Sequence, residues 1–148
     1  MNRPDSRIIK FIHKHHVLTL ATSNNNMPYC ANCFYAFIDS ENAFVFTSDI
    51  KTRHIQDAVI QPVVAGSIVL ETSIVGKIQG IQFTGILKKE SESINSIAKT
   101  AYMKRFPFAL LMDTTLWVLK VDFFKLTDNR LGFGKKLIWR VNAENQNS

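Results

Sequence analysis

The sequence predicts a mainly β protein, a small antiparallel barrel of six strands with helices at its sides, and three observations carry that expectation. Short polar turns, Asn24 to Asn26 and Asp39 to Asn42, join successive apolar stretches as hairpins do. Helical patterns are inserted between strands without the strict alternation of a doubly wound sheet. The long apolar stretch Lys77 to Lys89 carries Gly80 and Gly85 inside it, and glycine within a strand points to a bulge, a barrel corner or a close backbone approach.

Taken in order, Asp5 or Ser6 can cap a first helix, within residues 1–16, whose Ile8, Ile9, Phe11 and Ile12 form one apolar face. Val17 to Ser23 reads as a strand, and Pro28 opens the next. That second strand, Tyr29 to Ile38, is largely apolar on both faces, so both need cover. Ala43 to Phe46 is the third strand. A helix follows from about Lys51 to Gln61, with Ile55, Val59 and Ile60 on one face and Lys51, Arg53, Gln56 and Asp57 free for other uses. Pro62 ends it, and the β-branched run Val63 to Leu70 is the fourth strand. Lys77 to Lys89 is the fifth, Glu90 to Arg105 a third helix ended by Pro107, and Thr115 to Leu126 the sixth strand. Residues 142–148 form a polar, frayed tail.

With 148 residues, 46% of them hydrophobic, the chain suffices for one sizeable core and is expected to form a single domain over 1–148. Its net charge of +6 is scattered in short clusters, which suits a small anion better than a long polyanion, because tracking phosphates along a nucleic acid needs a continuous basic stripe. No stretch reaches the roughly 18 to 20 consecutive apolar residues of a membrane span. With two cysteines and no leader pattern, a cytoplasmic location is expected, without nucleic-acid or membrane partners.

The most informative stretch runs from Ala43 to His54. A strand delivers Phe46, Thr47 and Ser48 to a polar turn, after which Lys51, Thr52 and Arg53 open a helix. Free N–H groups at a helix start favour a phosphate, and Lys51 and Arg53 would add full charges. An ordinary strand-to-helix connection, capped by Ser48 or Asp49, accounts for the same residues.

Three pieces in this order, Val17 to Thr22 with its asparagine turn and Pro28, Phe44 to Ser48 with Lys51-Thr52-Arg53, and Gln82-Phe83-Thr84-Gly85, resemble the FMN-binding split barrel superfamily, whose best known member is pyridoxamine 5'-phosphate oxidase. The resemblance extends from about His16 to Lys89. It implies a homodimer whose clefts hold FMN, the phosphate lying near Thr47 and Ser48 with Thr52 and Arg53 where the family has a basic pair. It implies also that the backbone of Ala31, Asn32 and Cys33, in the segment that includes Phe34, runs along the flavin ring. A glutamine that touches the ring falls at Gly80 by strict spacing, with Gln79 and Gln82 close by. The family's site-closing C-terminal residues have a loose counterpart in Phe133, Lys135, Lys136, Trp139 and Arg140, and its substrate-phosphate arginines are not recognisable here.

The expectation is therefore an FMN-binding flavoprotein, an oxidoreductase acting on a small-molecule substrate with no catalytic side chain identified. The alternative is a non-catalytic module that carries or senses flavin or haem on the same dimeric fold. Cys30 and Cys33 have the spacing of a metal pair but point to opposite faces of a strand, so no metal site is expected. His13, His15, His16 and His54 could ligate haem, or serve as cations near a helix end.

Overall fold

The computed structural model describes residues 2–89, 92–111 and 115–142. The final residues of the expected tail and the start expected for the third helix at Glu90 lie outside the described residues. The chain forms α1 (Ser6–Lys14), β1 (Val17–Asn24), β2 (Met27–Phe34), β3 (Ala36–Ile38) and β4 (Ala43–Ser48). It continues through α2 (Arg53–Ile60), β5 (Val63–Val69), β6 (Gln79–Lys89), α3 (Glu92–Arg105), β7 (Thr115–Asp128) and β8 (Lys136–Arg140).

Every strand pairing is antiparallel, and the order is β2-β1-β5-β6-β7-β4-β3, with β8 added to β7. The two ends of that order, β2 and β3, are consecutive in the chain. The sheet therefore curls until its ends meet through the backbone at Tyr35, giving an antiparallel split barrel of the expected class with eight strands where six were expected. The stretch expected to be one strand from Tyr29 to Ile38 is divided at Tyr35, where the chain passes from pairing with β1 to pairing with β4; the Tyr35 N–H donates to the His16 carbonyl (3.0 Å), in register with the β1–β2 ladder.

The segment Lys136 to Arg140, outside the six strands expected, supplies an eighth strand. β4 pairs with Thr115 to Lys120 of β7, and β8 pairs with Phe123 to Thr127 farther along. Trp139 anchors β8 by burying its indole 5.6 Å from the Phe124 ring.

Aromatic rings fill the barrel. Phe44 is fully buried, with the rings of Tyr35, Phe37 and Phe83 at 5.1, 4.9 and 4.6 Å between centroids. Burying one such side chain stabilises the fold by roughly 1.5–3 kcal/mol, so this cluster ties β3, β4 and β6 together. Gly85 sits at a register shift in the β6–β7 ladder, and a Cβ there would lie 2.3 Å from the Lys120 carbonyl oxygen. It is a bulge with a close backbone approach, as a strand glycine suggests. Gly80 has no comparable crowding: its Cβ would sit 3.6 Å from the Ile68 carbonyl oxygen.

The helices close the outside. Asp5 caps α1 by accepting from the Arg7 N–H (2.9 Å), and the Arg7 guanidinium beside it holds the Asp5 carboxyl down at about 2. Ile8, Phe11 and Ile12 are buried, while the Tyr35 hydroxyl donates to the Ile12 carbonyl (2.6 Å). Arg105 of α3 donates to the carbonyls of His13, His15 and Tyr35, meeting acceptors that the end of a helix otherwise leaves open. Among the described residues no helix is long and apolar enough to cross a membrane.

α2 corrects an expectation. Ile55 is buried, but Val59 and Ile60, expected on the same apolar face, are exposed, and Asp57, outside that face, is buried. The helix turns its Ala58 side toward the sheet, which suits the small residue, and the Thr22 hydroxyl of β1 donates to Asp57 Oδ2 (3.3 Å). A hydrogen-bond partner lowers the cost of burying the carboxylate.

Candidate functional site

The strand pairing leaves a seam. β3 pairs with β4 from Ile38↔Ala43 only as far as Ala36↔Val45. Beyond Tyr35, β2 pairs with β1 alone, and beyond Val45, β4 pairs with β7 alone. One edge of Ala31 to Cys33 and one edge of Phe46 to Ser48 are thus left without a strand partner among the described residues. The two segments that the family resemblance singled out face the same opening.

At the end of β4 the seam meets the start of α2. Asp49 Oδ1 accepts from the Lys51 N–H (2.8 Å), and the Thr52 hydroxyl donates to the Asp49 carbonyl (2.7 Å). The Asp49 carboxylate therefore serves the turn. Thr52 is the N-cap residue, yet its side chain makes no capping hydrogen bond, so neither Ser48 nor Asp49 acts as the helix cap that the sequence also allowed. Helix-start N–H groups left without a side-chain acceptor are donors for an anion.

Around them stand three polar side chains. Ser48 Oγ lies 2.6 Å from His54 Nε2, and Thr52 Oγ1 lies 3.4 Å from both. The Trp117 indole N–H donates to the Ser48 carbonyl (3.0 Å), fixing the end of the strand. Burial pushes the His54 imidazole below its ordinary value, while the nearby Asp57 charge pulls it back upward. At neutral pH the ring is uncharged, and with the proton on Nδ1 its Nε2 accepts from the Ser48 hydroxyl.

Arg53 stands at the mouth. Its guanidinium carbon sits 4.3 Å from the centre of the Tyr29 ring on β2, and its Nε lies 3.7 Å from Asp57 Oδ2. Stacking on an aromatic face orients an arginine while leaving N–H groups for another acceptor. Arg53 thereby spans the seam from α2 to β2.

The other candidates are placed as follows. Thr47 is half-buried, its hydroxyl 3.2 Å from that of Tyr102 on α3, and Lys51 is exposed in the turn. Asn32 accepts from the Thr19 hydroxyl (3.0 Å), Ala31 is half-buried, and Cys33 is buried with its thiol pushed up to about 11 by desolvation. Phe46 is fully buried in the core, so its ring does not line the seam. Gln82 is exposed on the outer face of β6, whereas Gln79 is buried and its side-chain oxygen accepts from Arg130 (3.1 Å). Phe133 is exposed, and the β8 segment pairs along the half of β7 remote from Thr115, the partner of Ser48.

Two contributors were not singled out for the phosphate by sequence: His54, considered only as a ligand or solvated cation, and Tyr29, read as a strand residue. The i to i+2 and i+6 relationships of His54 to Thr52 and Ser48 become neighbours only once the turn bends back. The remaining histidines are elsewhere: His13 Nε2 lies 2.6 Å from Asp39 Oδ1, and the His15 ring packs on Phe11. Among the described residues no three metal-ligating side chains come together.

Relatives match along nearly the whole chain. A UPF0306 protein from Photorhabdus laumondii is 40% identical over 134 residues, covering 90% of this chain and 93% of the relative. The UPF0306 protein YhbP from Escherichia fergusonii is 38% identical over 132 residues, with 89% and 90% covered. No family model matches the chain. Among solved structures, a heme binding protein from Mycobacterium smegmatis aligns with a TM-score of 0.73 at 18% identity, over 86% of this chain and 54% of that one. This chain thus spans about half the length of that protein. The heme storage protein HutZ from Vibrio cholerae aligns at 0.69 with 14% identity, covering 85% and 94%. An FAD-binding protein from Mesorhizobium loti aligns at 0.69 with 11% identity, covering 85% and 95%. At these identities the likeness is one of fold: the chain is a split β-barrel.

Proposed function

This chain belongs to the UPF0306 protein family, and from that premise and the geometry of its seam we propose that it is a cofactor-binding module holding FMN between β2 and β4. The observation that carries the reading is the convergence at one opening of unpaired strand edges, an uncapped helix start and the Ser48, Thr52 and His54 side chains. The helix-start N–H groups, the two hydroxyls and Arg53 would hold the phosphate, with Lys51 adding charge from the turn. His54 takes the part of the second basic residue that Thr52 lacks, since a dianion beside the ring favours its protonated form. Backbone groups of Ala31 to Cys33 would run along the flavin ring. Phe46 has no part in it, and of the two glutamines only Gln82 is exposed to reach a ligand.

FMN bound there would supply redox chemistry toward a small-molecule substrate; this chain's residues supply position and charge. The enzymatic form of the proposal is an oxidoreductase of the pyridoxamine 5'-phosphate oxidase-like type. The likeness to a flavin-binding protein and to heme-binding ones supports cofactor binding as the more general statement. A homodimer completes the proposal. β2 is exposed along most of its length, with Met27 at 60% and Phe34 at 59%, and Val63 and Val69 of β5 add to the uncovered apolar surface. Apolar area of this kind marks an interface.

The test is direct. FMN in large excess should raise the melting temperature and its fluorescence should be quenched on binding, with Arg53→Ala reducing both at the same concentration. Oxidation of a nicotinamide donor with turnover would mark an enzyme, and bound flavin without turnover a carrier. A Soret band on adding haem, with no response to FMN, would replace the flavin reading by the haem one.

A further inference from the structure

A second cavity, of about 560 Å³, lies on the outer face of β6 and β7 beneath the first half of α3. Its register separates it from the seam. Lys120, on its wall, pairs with Ala43 at the start of β4, whereas the seam opens at Ser48, roughly 17 Å along the strand at about 3.4 Å per residue. Nothing in the FMN reading uses this cavity.

Its lining is divided. Ile86 and Val118 from the sheet and Ile94 and Ile97 from the helix make an apolar floor. Among the described residues, Lys88, Lys89 and Lys120 stand around it with one carboxylate, Glu41. Lys120 Nζ and Glu41 Oε2 are 3.1 Å apart and offset one another, so among the described residues the wall keeps a positive excess from Lys88 and Lys89. The outer face of a barrel strand is ordinarily polar, and here the unbroken alternation of β6 places Ile86 beside Lys88 on that face. An apolar floor with cations at its edge is complementary to an anion that carries a hydrocarbon body. The volume falls within the usual range for small-molecule sites, roughly 300–1,000 Å³.

We propose that this cavity binds a free medium-chain fatty carboxylate, the chain lying on Ile86, Ile94, Ile97 and Val118 and the carboxylate meeting Lys88 and Lys89. A polyanion has no continuous basic track here, and a neutral hydrocarbon would leave the lysines unused.

The experiment is a calorimetric titration of the full-length protein with hexanoate, octanoate and decanoate, with decylamine as the opposite-charge control. Affinity should tighten by about threefold to fourfold for each methylene added, and decylamine should not bind. Lys88→Glu should weaken decanoate binding at least tenfold, Ile97→Gln should flatten the chain-length series, and Lys88→Arg should retain binding. Both positions are exposed, and unchanged urea midpoints would show that the variants fold. Equal binding of decylamine, absence of a chain-length trend, or full affinity in Lys88→Glu would overturn the proposal. Because Arg53 lies elsewhere, Arg53→Ala should leave the decanoate titration unchanged, so failure here is separable from failure of the flavin reading.

Discussion

Ser48 Oγ and His54 Nε2 stand 2.6 Å apart across the turn that joins β4 to α2, so a strand-end hydroxyl and a helix-start imidazole form one polar unit. Their partner Thr52, 3.4 Å from each, spends its hydroxyl proton on the Asp49 carbonyl.

Burial sets the pH behaviour of His54. Its pKa lies below the ordinary 6.5 because desolvation outweighs the attraction of Asp57. Below pH 6.5 the unfolded chain takes up a proton that the folded ring resists, so folding stability falls as the pH drops from there toward the folded value. His15, also depressed by desolvation and by the neighbouring cations of Lys14, His16 and Arg105, acts in the same direction. Urea midpoints at pH 7.5 and 5.5 should therefore fall less in His54→Gln than in the unaltered protein. An equal fall in both would assign the loss to other groups.

Arg53 should matter for FMN and little for the fold. Arg53→Ala removes a charge-assisted contact and should weaken FMN binding by about tenfold to hundredfold. Its stack on Tyr29 and its long contact with Asp57 are largely solvent-exposed on the arginine side, so thermal stability without FMN should change little. Fluorescence titration and melting of the same variant separate the two effects.

The buried carboxylate of Asp57 gives a different result. Asp57→Leu strands the buried Thr22 hydroxyl and should cost about 1–3 kcal/mol, whereas Asp57→Asn keeps an acceptor for it and should cost less than about 1 kcal/mol. Chemical denaturation of both variants checks the difference. Equal losses would show that the charge, not the hydrogen bond, is what the fold uses.

Two core substitutions probe the barrel. Phe44→Ala should cost about 3–5 kcal/mol, because the ring is fully buried among Tyr35, Phe37 and Phe83. Gly85→Ala drives a Cβ to 2.3 Å from the Lys120 carbonyl oxygen and should cost about 1–3 kcal/mol. Gly80→Ala, with only ordinary contacts, should stay within about 1 kcal/mol. A Gly85→Ala protein as stable as Gly80→Ala would mean that the bulge relaxes freely.

The apolar runs from Val17 to Leu126, the two polar turns, Pro62 and Pro107 determined the strands and helices, since alternation, β-branching and chain breaks are local properties of the chain. The barrel class followed from their order, and Gly85 announced its bulge. Tertiary structure alone decided the seam, because the edges of β2 and β4 that stay unpaired are set by which strands, far apart in the chain, take their other edges: β1 for β2 and β7 for β4. It also decided the facing of α2: a helical wheel gave Val59 the core position, but Thr22 of a separate strand rewarded turning Asp57 inward. Of the candidate site, Ser48, Thr52 and Arg53 were legible as a turn before a helix. His54 and Tyr29 were not, for their roles exist only where the chain folds back and sets an imidazole against a hydroxyl and a guanidinium against a ring.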